Sequence, residues 1–329
     1  MLSVVVACFN EEEVIEETHR RLSQAVSSLL DDYEIIYVDD GSSDSSARKL
    51  AAIHAKDPHV VVICLSRNFG HQIAVTAGLE YARGDAVVLI DADLQDPPEV
   101  IARMVDRWRD GFQVVYGVRE SRAGETAFKK FSARVFYRLI NRLSEIQIPL
   151  DTGDFRLMDK RVVAALRQMK EKHRLLRGMT SWVGFNQTAV PYARAARWAG
   201  ESKYPLKKML LLALDGIISF STVPLRFVTF IGVSFSLISV LGVIYALFLR
   251  LLTSNWVPGW TLIFISLLLI GGLQLVCLGI MGEYIGRIYN ETTDRPLFLV
   301  RETLGVADDV QMMSNSTIHG SPSRELRVL

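Results

Sequence analysis

Five short apolar segments recur in the N-terminal part of the chain, and each ends abruptly in polar residues. The segments are Leu2–Ala7, Glu34–Val38, Val60–Leu65, Ala86–Ile90 and Gln113–Val118. Runs of this length predict strands, and their nearly continuous apolar character is typical of strands buried on both faces of a parallel sheet. Stretches of helical character separate the segments, and such alternation builds a sheet covered by helices. We therefore predict an α/β domain with a doubly wound, mainly parallel sheet.

Two acidic residues directly follow the fourth segment. Asp91 and Asp93 are one residue apart, and Pro97 and Pro98, which suit the first turn of a helix, keep the connection short. Open α/β sheets bind ligands at the carboxyl ends of their strands, where these carboxylates lie. Such a pair repels itself unless a cation neutralises it, and a divalent ion that prefers oxygen ligands is the natural cation. The alternative is that both residues cap the following helix and solvate a turn.

The phosphate-binding motifs of the common nucleotide-binding folds are absent from this sequence. It has no G-x-x-x-x-G-K-[ST] loop and no G-x-G-x-x-G after its first strand. Carboxylates follow the predicted strands instead: Glu11, Asp39, Asp40, Asp91 and Asp93. An edge this acidic favours phosphate only when a metal is bound. The net charge of +1 also argues against electrostatic binding of nucleic acid.

The composition changes towards the C-terminus. Hydrophobic residues make up 50% of the chain, and Arg250 is the only charged residue from Phe227 to Gly282. Phe227–Leu249 is uncharged and about 34 Å long as a helix, which is enough to cross a bilayer. Trp260–Met281 is a second segment of this kind. We predict a hairpin of two transmembrane helices within residues 223–288.

Basic residues flank this hairpin on both sides, whereas the loop within it carries only Arg250. Those that precede the first span or follow the second are Arg194, Arg197, Lys203, Lys207, Lys208, Arg226, Arg287, Arg295 and Arg301. The positive-inside rule then predicts that both termini are cytoplasmic. Three cysteines without metal-ligand spacing fit the same reducing compartment.

The remaining domain boundaries follow from composition. Residues 1–200 have the charged composition of a globular domain. Residues 203–222 place a narrow polar stripe on an apolar helix that starts with lysines, which predicts an amphipathic helix in the membrane interface. A buried core helix is the alternative. Residues 289–329 form a cytoplasmic segment, and its end, from Asp308, lacks apolar periodicity and is predicted to be flexible.

Several motifs together resemble those of the inverting glycosyltransferases of family 2, which have the GT-A fold. These motifs are VVVACFNEE, VDDGSSD, LSRNFG, IDADLQDPP and DTGDFRLMDK. RLLRGMTSWVGF, ESKYPLKKM and the two closing spans restrict the resemblance to the polyisoprenyl-phosphate glycosyltransferases, a group that includes bactoprenol-phosphate glucosyltransferases and dolichol-phosphate mannose synthases. The resemblance covers roughly residues 2–300 and is specific as a set.

This resemblance implies transfer of a hexose, with glucose and UDP-glucose as the family-based expectation, to a polyisoprenyl phosphate such as undecaprenyl phosphate. It implies inversion, Mg²⁺ or Mn²⁺ as cofactor, and a location in a bacterial-type plasma membrane with the catalytic domain cytoplasmic. A homo-oligomer is compatible with it. The alternatives are a processive polysaccharide synthase, disfavoured because a Q-x-x-R-W motif and further spans are missing, and a non-catalytic membrane protein, disfavoured because the acidic strand ends are retained.

The same resemblance implies roles for individual residues. The residues assigned to the nucleotide sugar are Ala7, Phe9, Glu11, Asp40, Asp91 and Ala92. Those assigned to the metal are Asp91, Asp93 and Gln95, and the catalytic set is Asp154, Asp93 and Arg119. Those assigned to the acceptor phosphate are Arg119, Arg134, Arg177 and Lys203. Many relatives have Pro and Tyr at the positions of Ala7 and Phe9, so a Tyr hydroxyl contact is lost here.

Overall fold

The computed structural model describes residues 1–119, 152–193, 223–252 and 259–306. The chain divides into two compact units. Among the described residues, the first unit contains 1–119, 152–193 and 295–306, and the second contains 223–252 and 259–294. The predicted interfacial helix at 203–222 and the tail beyond residue 306 lie outside the described residues.

Eight strands of the first unit form one sheet. In chain order they are β1 (Leu2–Cys8), β2 (Tyr33–Asp39), β3 (Val60–Leu65), β4 (Ala86–Asp91), β5 (Val114–Arg119), β6 (Thr152–Asp159), β7 (Gln187–Tyr192) and β8 (Val300–Leu304). Their order in the sheet is β7-β5-β6-β4-β1-β2-β3-β8. The pairs β4–β1, β1–β2, β2–β3 and β5–β7 are parallel, whereas β6 and β8 run antiparallel to their neighbours. The prediction of a mainly parallel sheet is confirmed.

Helices cover both faces of this sheet. Within the described part of the first unit, six helices are present: α1 (Ile15–Ser27), α2 (Ser46–His54), α3 (His71–Tyr81), α4 (Val100–Arg109), α5 (Lys160–Gln168) and α6 (Leu176–Trp182). Helix α1 contacts α2 and α4, whereas α5 contacts α3 and α6, which gives two separate layers. Alternate side chains of β1 divide between them, because Val4 and Val6 join the core beneath α1 while Val5 meets Gly78 of α3. The doubly wound arrangement is therefore confirmed.

Strand β6 lies between β4 and β5 and brings a distant segment to the carboxyl end of β4. Its register pairs Ala86 with Asp159 and Leu89 with Arg156. Continued by two residues, this antiparallel register places Asp154 beside Asp91. The sequence predicts a short strand near Asp154, but it does not predict that this strand separates the fourth and fifth strands.

The first helix begins later than the sequence predicts. Acidic residues favour the first turn of a helix, which predicts Glu11–Glu13 at the start of α1, but α1 begins at Ile15 and its acidic first turn contains Glu16 and Glu17. The N–H groups of Glu11 and Glu12 donate to side chains of the segment after β2, and the carbonyl of Glu11 accepts from the N–H groups of Val14 and Ile15, so a turn precedes the helix. This prediction was wrong.

The second unit contains two long apolar helices, α7 (Val223–Leu252) and α8 (Trp260–Thr292). They contact each other, and by length and composition each contains a segment able to cross a membrane: Leu225–Gly242 and Leu269–Thr292. Their outer apolar side chains are exposed, as at Phe230 and Leu275. Beyond α8, β8 pairs with β3 of the first unit, so the chain rejoins the sheet after the helix pair.

Candidate active site

The segments that follow β1 and β2 are tied together by hydrogen bonds. The N–H of Asn10 donates to Ser42 Oγ over 3.0 Å, and the N–H of Ser43 donates to Asn10 Oδ1 over 2.9 Å. The N–H of Glu11 donates to Ser46 Oγ over 2.9 Å. Asn10 has a φ of 54°, a left-handed conformation that asparagine adopts more readily than most residues. The serine-rich segment after β2 therefore fixes the shape of this edge of the sheet.

Asp39 and Asp40 have different partners at the end of β2. The carboxylate of Asp40 accepts hydrogen bonds from the backbone N–H groups of Phe69 and Gly70, at 2.7 and 2.9 Å. Asp39 Oδ1 accepts from the N–H of Ser42, but its Oδ2 is buried and has no hydrogen-bond partner among the described residues. A buried acceptor without a donor is costly, which makes Asp39 Oδ2 a place for a donor from a ligand. The family resemblance implies Asp40, not Asp39, as a ligand of the nucleotide.

The turn at Gly41 supports this arrangement, and we expect Gly41→Ala to destabilise the catalytic domain. Gly41 has a φ of +68°, and an added Cβ would lie 2.4 Å from the carbonyl carbon of Arg67. The left-handed conformation alone costs a residue with a Cβ roughly 1–2 kcal/mol, and the clash adds to that cost. Gly111→Ala is the matched control, because Gly111 also has a positive φ, +99°, but an added Cβ there meets nothing within 4 Å. Unfolding temperatures of the purified proteins test this, and equal losses from both substitutions would contradict it.

The loop after β4 is held in a strained shape. Leu94 is buried with a φ of 57°, which is unusual for a residue with a large side chain. The N–H of Gln95 donates to Asp93 Oδ1 over 3.1 Å, and Thr18 Oγ1 of α1 donates to the carbonyl of Ala92 over 2.7 Å. Helix α4 begins only at Val100 and has no side-chain cap. Neither Asp91 nor Asp93 therefore caps α4, although Asp93 does accept a hydrogen bond within the turn, as the alternative expects.

Asp91 and Asp154 face one another across His71. The Nε2 atom of His71 lies 3.4 Å from Asp91 Oδ1 and 3.4 Å from Asp154 Oδ2. Gln72 Nε2 donates to Asp154 Oδ2 over 2.7 Å, and Arg177 Nη2 lies 3.6 Å from Asp154 Oδ1. Strands β4 and β6 supply the carboxylates, α3 supplies His71 and Gln72, and α6 supplies Arg177. Four elements therefore meet around one carboxylate pair.

The ionisation of this cluster follows from burial and mutual charge. Burial alone would lower the pKa of His71, but its contact with Asp154 and the charges of Asp91 and Asp154 raise it to about 9. Burial raises the pKa of Asp91 to about 6, although His71 opposes this rise. The contacts of Asp154 with His71 and Arg177 outweigh its burial and hold its pKa well below the usual range. Near neutral pH a charged imidazole therefore sits between the two carboxylates.

Two arginines anchor the surroundings of Asp154. Arg156 is buried and donates to the carbonyls of Asp154 and Gly153, at 3.2 and 2.9 Å, and to the hydroxyl of Thr180. Arg119 Nε donates to the hydroxyl of Tyr192 over 3.3 Å, and that hydroxyl donates in turn to the buried Asp96. Arg119 also approaches Gly153, where an added Cβ would lie 2.7 Å from Nη2. The guanidinium of Arg119 thus lies beside the backbone that carries Asp154.

The donor set at the end of β4 fits a hard divalent cation in part. Among the described residues, no three His, Cys, Asp or Glu side chains are grouped to hold a metal ion. Asp91, Asp93 and Gln95 nevertheless offer oxygen ligands on one loop, and Asp91 is about one-third exposed, at 36%. Mg²⁺ commonly takes only one or two carboxylates from a protein and completes its shell with phosphate oxygens and water. The residues present fit that mode of binding.

The predicted residues are only partly brought together. Asp91, Asp154 and Arg177 meet around His71, and Ala7 pairs with Asp91 in the sheet register. Phe9 is 39% exposed at the end of β1. Arg134 and Lys203 lie outside the described residues, so their assignment to the acceptor phosphate stays a prediction.

His71 and Gln72 were missed by the sequence analysis. Both open the helix that follows the carboxyl end of the third strand, directly after Gly70. That position in a parallel sheet is where functional side chains gather, so the topology gives a signal that the residue types alone do not.

Comparison with known proteins gives the family. The sequence profile described as Glycosyl transferase family 2 matches residues 3–167, which is half of the chain and covers β1 to β6 and most of α5. The chain belongs to glycosyl transferase family 2. This membership confirms the resemblance seen in the motifs. The mainly parallel sheet of this glycosyltransferase is the GT-A arrangement that the resemblance implies.

Relatives of this family 2 glycosyltransferase match it over nearly the whole chain. The uncharacterized glycosyltransferase YkcC of Bacillus subtilis is 50% identical over 304 residues, which cover 92% of this chain and 94% of that protein. The SfII prophage-derived bactoprenol glucosyl transferase of Shigella flexneri is 40% identical over 302 residues, 92% of this chain and 98% of that protein. Among solved structures, glucosyl-3-phosphoglycerate synthase from Mycobacterium tuberculosis, in complex with phosphoglyceric acid, has a TM-score of 0.45 at 20% identity, over 66% of this chain and 78% of that chain.

Proposed function

We propose that this glycosyltransferase moves a hexose, with glucose as the first candidate, from a UDP-sugar to a polyisoprenyl phosphate. The observation that carries the proposal is the meeting of Asp91 and Asp154 around His71, with Nε2 3.4 Å from each carboxylate. Asp91, whose carboxylate suits a cation, thus lies next to Asp154, whose carboxylate suits the reacting sugar. The bactoprenol glucosyl transferase that shares 40% of its residues supports a polyprenyl phosphate as acceptor.

The nucleotide sugar is expected to bind at the carboxyl ends of β1, β2 and β4. Asp39 Oδ2, buried and without a partner among the described residues, suits an N–H or O–H donor of the nucleoside. Asp91, Asp93 and Gln95 would hold Mg²⁺ or Mn²⁺ against the diphosphate. When bound, that ion neutralises the charge that develops on the leaving diphosphate.

The acceptor needs little help to become a nucleophile. A phosphate monoester has a second pKa near ~6 and is largely deprotonated at neutral pH. Its oxygen forms a bond to the anomeric carbon as the bond from that carbon to the nucleoside diphosphate breaks, which inverts the anomeric centre. The depressed pKa of Asp154 keeps this group a carboxylate. We assign it to orienting the sugar and to stabilising positive charge at the anomeric carbon.

Two anionic partners must approach each other at this site, so positive charge is required beside the acceptor. Arg177 lies 3.6 Å from Asp154 Oδ1, and Arg119 lies against Gly153. Guanidinium groups bind phosphate oxygens through pairs of hydrogen bonds. We propose that these two arginines receive the lipid phosphate.

The enzyme is proposed to work at the cytoplasmic face of the membrane. Helices α7 and α8 are long and apolar enough for two crossings, and the basic residues that flank them favour cytoplasmic termini. Because β8 returns to the sheet after α8, the segments on both sides of the helix pair belong to the catalytic domain. An isoprenoid phosphate presents its head group at that surface.

The proposal is tested by incubating membranes that contain the protein with undecaprenyl phosphate and a panel of labelled sugar nucleotides. We expect label from one donor, UDP-glucose first, to enter a lipid that organic solvent extracts and mild acid cleaves, with a β-linkage from an α-linked donor. Label found only in a polymer would indicate a processive synthase. Binding of a donor without any transfer would indicate a non-catalytic protein.

A further inference from the structure

We propose that Gln72 is a positioning residue that holds Asp154 and the helix carrying Arg177 in a fixed relation. This inference rests on the proposed function of Asp154. The side-chain amide of Gln72 is used at both ends: Nε2 donates to Asp154 Oδ2 over 2.7 Å, and Oε1 accepts from the N–H of Leu176 over 2.9 Å. One side chain of α3 thus joins the start of β6 to the start of α6.

The start of α6 needs this acceptor. The first N–H groups of a helix have no partner within the helix and must find one elsewhere. The residue before α6, Leu175, is apolar and provides no side-chain cap. Leu176 itself is fully buried, so water is a poor substitute for the missing partner. Gln72, 104 positions earlier in the chain, supplies the acceptor.

The contacts form a closed ring around Asp154. Gln72 holds Oδ2, while Arg177, the residue after Leu176, lies 3.6 Å from Oδ1. Apart from that ion pair, Oδ1 is buried without a hydrogen-bond donor among the described residues. The orientation of the carboxylate therefore depends on the bond from Gln72, on His71 Nε2 3.4 Å from the same oxygen, and on the place of Arg177, whose helix Gln72 also holds.

Arg156 holds the backbone around Asp154, so an effect of Gln72 on the Asp154 side chain can be separated from an effect on the fold. Arg156 donates to the carbonyls of Gly153 and Asp154 and to the side-chain hydroxyl of Thr180 on α6, so β6 and α6 stay joined through this arginine without Gln72. Loss of the Gln72 amide should then free the Asp154 side chain to turn towards His71 and Asp91 while the fold persists. A displacement of that kind reduces turnover more than binding, because the reacting groups lose their alignment.

Gln72→Met, which keeps the volume and removes both hydrogen bonds, is expected to lower kcat by roughly 10- to 100-fold. The dissociation constant of the sugar nucleotide and the unfolding temperature should stay close to the wild-type values. Gln72→Glu should be at least as damaging, because it removes the donor and places a second carboxylate against Asp154. Gln24→Met, at an exposed position on α1, is the matched control and should leave kcat unchanged.

A double-mutant cycle with Asp154→Asn distinguishes positioning from a general structural role. If Gln72 acts through the Asp154 carboxylate, Gln72→Met should lower the activity of the Asp154→Asn enzyme far less than it lowers that of the wild type. An equal loss in both backgrounds, or wild-type kcat in Gln72→Met, would overturn the inference. If Gln72→Met unfolds, Gln72→Asn, which keeps an amide that is too short to reach both partners, takes its place in the cycle. Absence of transfer by the wild type would overturn the proposed function instead.

Discussion

Asp154→Asn is expected to lower kcat for sugar transfer by roughly 10²- to 10³-fold while sugar-nucleotide binding stays within a few-fold of wild type. Asparagine keeps the shape of the side chain and can still accept the hydrogen bond from Gln72. It loses the charge that faces Arg177 and His71 and that we assign to stabilising the anomeric carbon. The loss should therefore appear in turnover, measured as lipid-linked sugar formed per enzyme at saturating donor.

Asp159→Asn is the control for this substitution because Asp159 ends the same strand. Asp159 Oδ1 caps α5 by accepting from the N–H of Arg161, and Oδ2 accepts from Trp108 Nε1. Asparagine can keep only one of these two hydrogen bonds, but both lie at the end of β6 opposite Asp154. The kcat of Asp159→Asn should match wild type. Unchanged turnover in Asp154→Asn would remove Asp154 from the reacting centre. Loss of donor binding with normal folding would assign it to the nucleotide site instead.

Asp93→Asn is expected to abolish most transfer, by roughly 10²-fold or more, because it removes one of two carboxylates offered to the cation. Asparagine is preferred to alanine here because its side-chain oxygen can still accept from the N–H of Gln95, which holds the loop in shape. The protein should fold and reach the membrane in wild-type amounts. Chelation of divalent ions should abolish wild-type activity, and added Mn²⁺ or Mg²⁺ should restore it.

Asp106→Asn, on the exposed face of α4, removes the same charge away from the site and should leave transfer unchanged. Activity that survives both chelation and Asp93→Asn would contradict the role of the metal. If added cation does not restore the activity lost on chelation, the protein has unfolded. Unfolding temperatures measured with and without chelator reveal this.

Much of the fold follows from the sequence because local patterns specify it. The apolar runs that become β1 to β5 are bounded by polar residues. The position of β6 in the sheet could not be predicted, because pairing between distant strands depends on packing that no local pattern records. The same holds for β8, a short strand that joins the sheet only after the two apolar helices.

The candidate site could be predicted only in part, because it also depends on contacts between distant segments. Carboxylates at the carboxyl ends of strands are visible in the sequence, which is why Asp91 was identified, whereas Asp154 was identified through the motif DTGDFRLMDK and the family resemblance. His71 and Gln72 look like ordinary helix residues until β6 brings Asp154 to them. The role of Asp40 towards the nucleotide stays a prediction: the backbone N–H groups of Phe69 and Gly70 donate to its carboxylate, whereas Asp39 Oδ2 is buried without a hydrogen-bond partner among the described residues.

The central claim is that the acidic edge of the sheet binds a nucleoside diphosphate sugar only together with a divalent cation. Calorimetric titration of the purified protein with UDP-glucose, before and after removal of divalent ions, tests it most directly. We expect binding in the presence of Mn²⁺ or Mg²⁺, at least tenfold weaker binding without them, and no cation effect in Asp93→Asn. Binding of equal strength with and without the cation would contradict the claim, as would failure of every sugar nucleotide in the panel to bind.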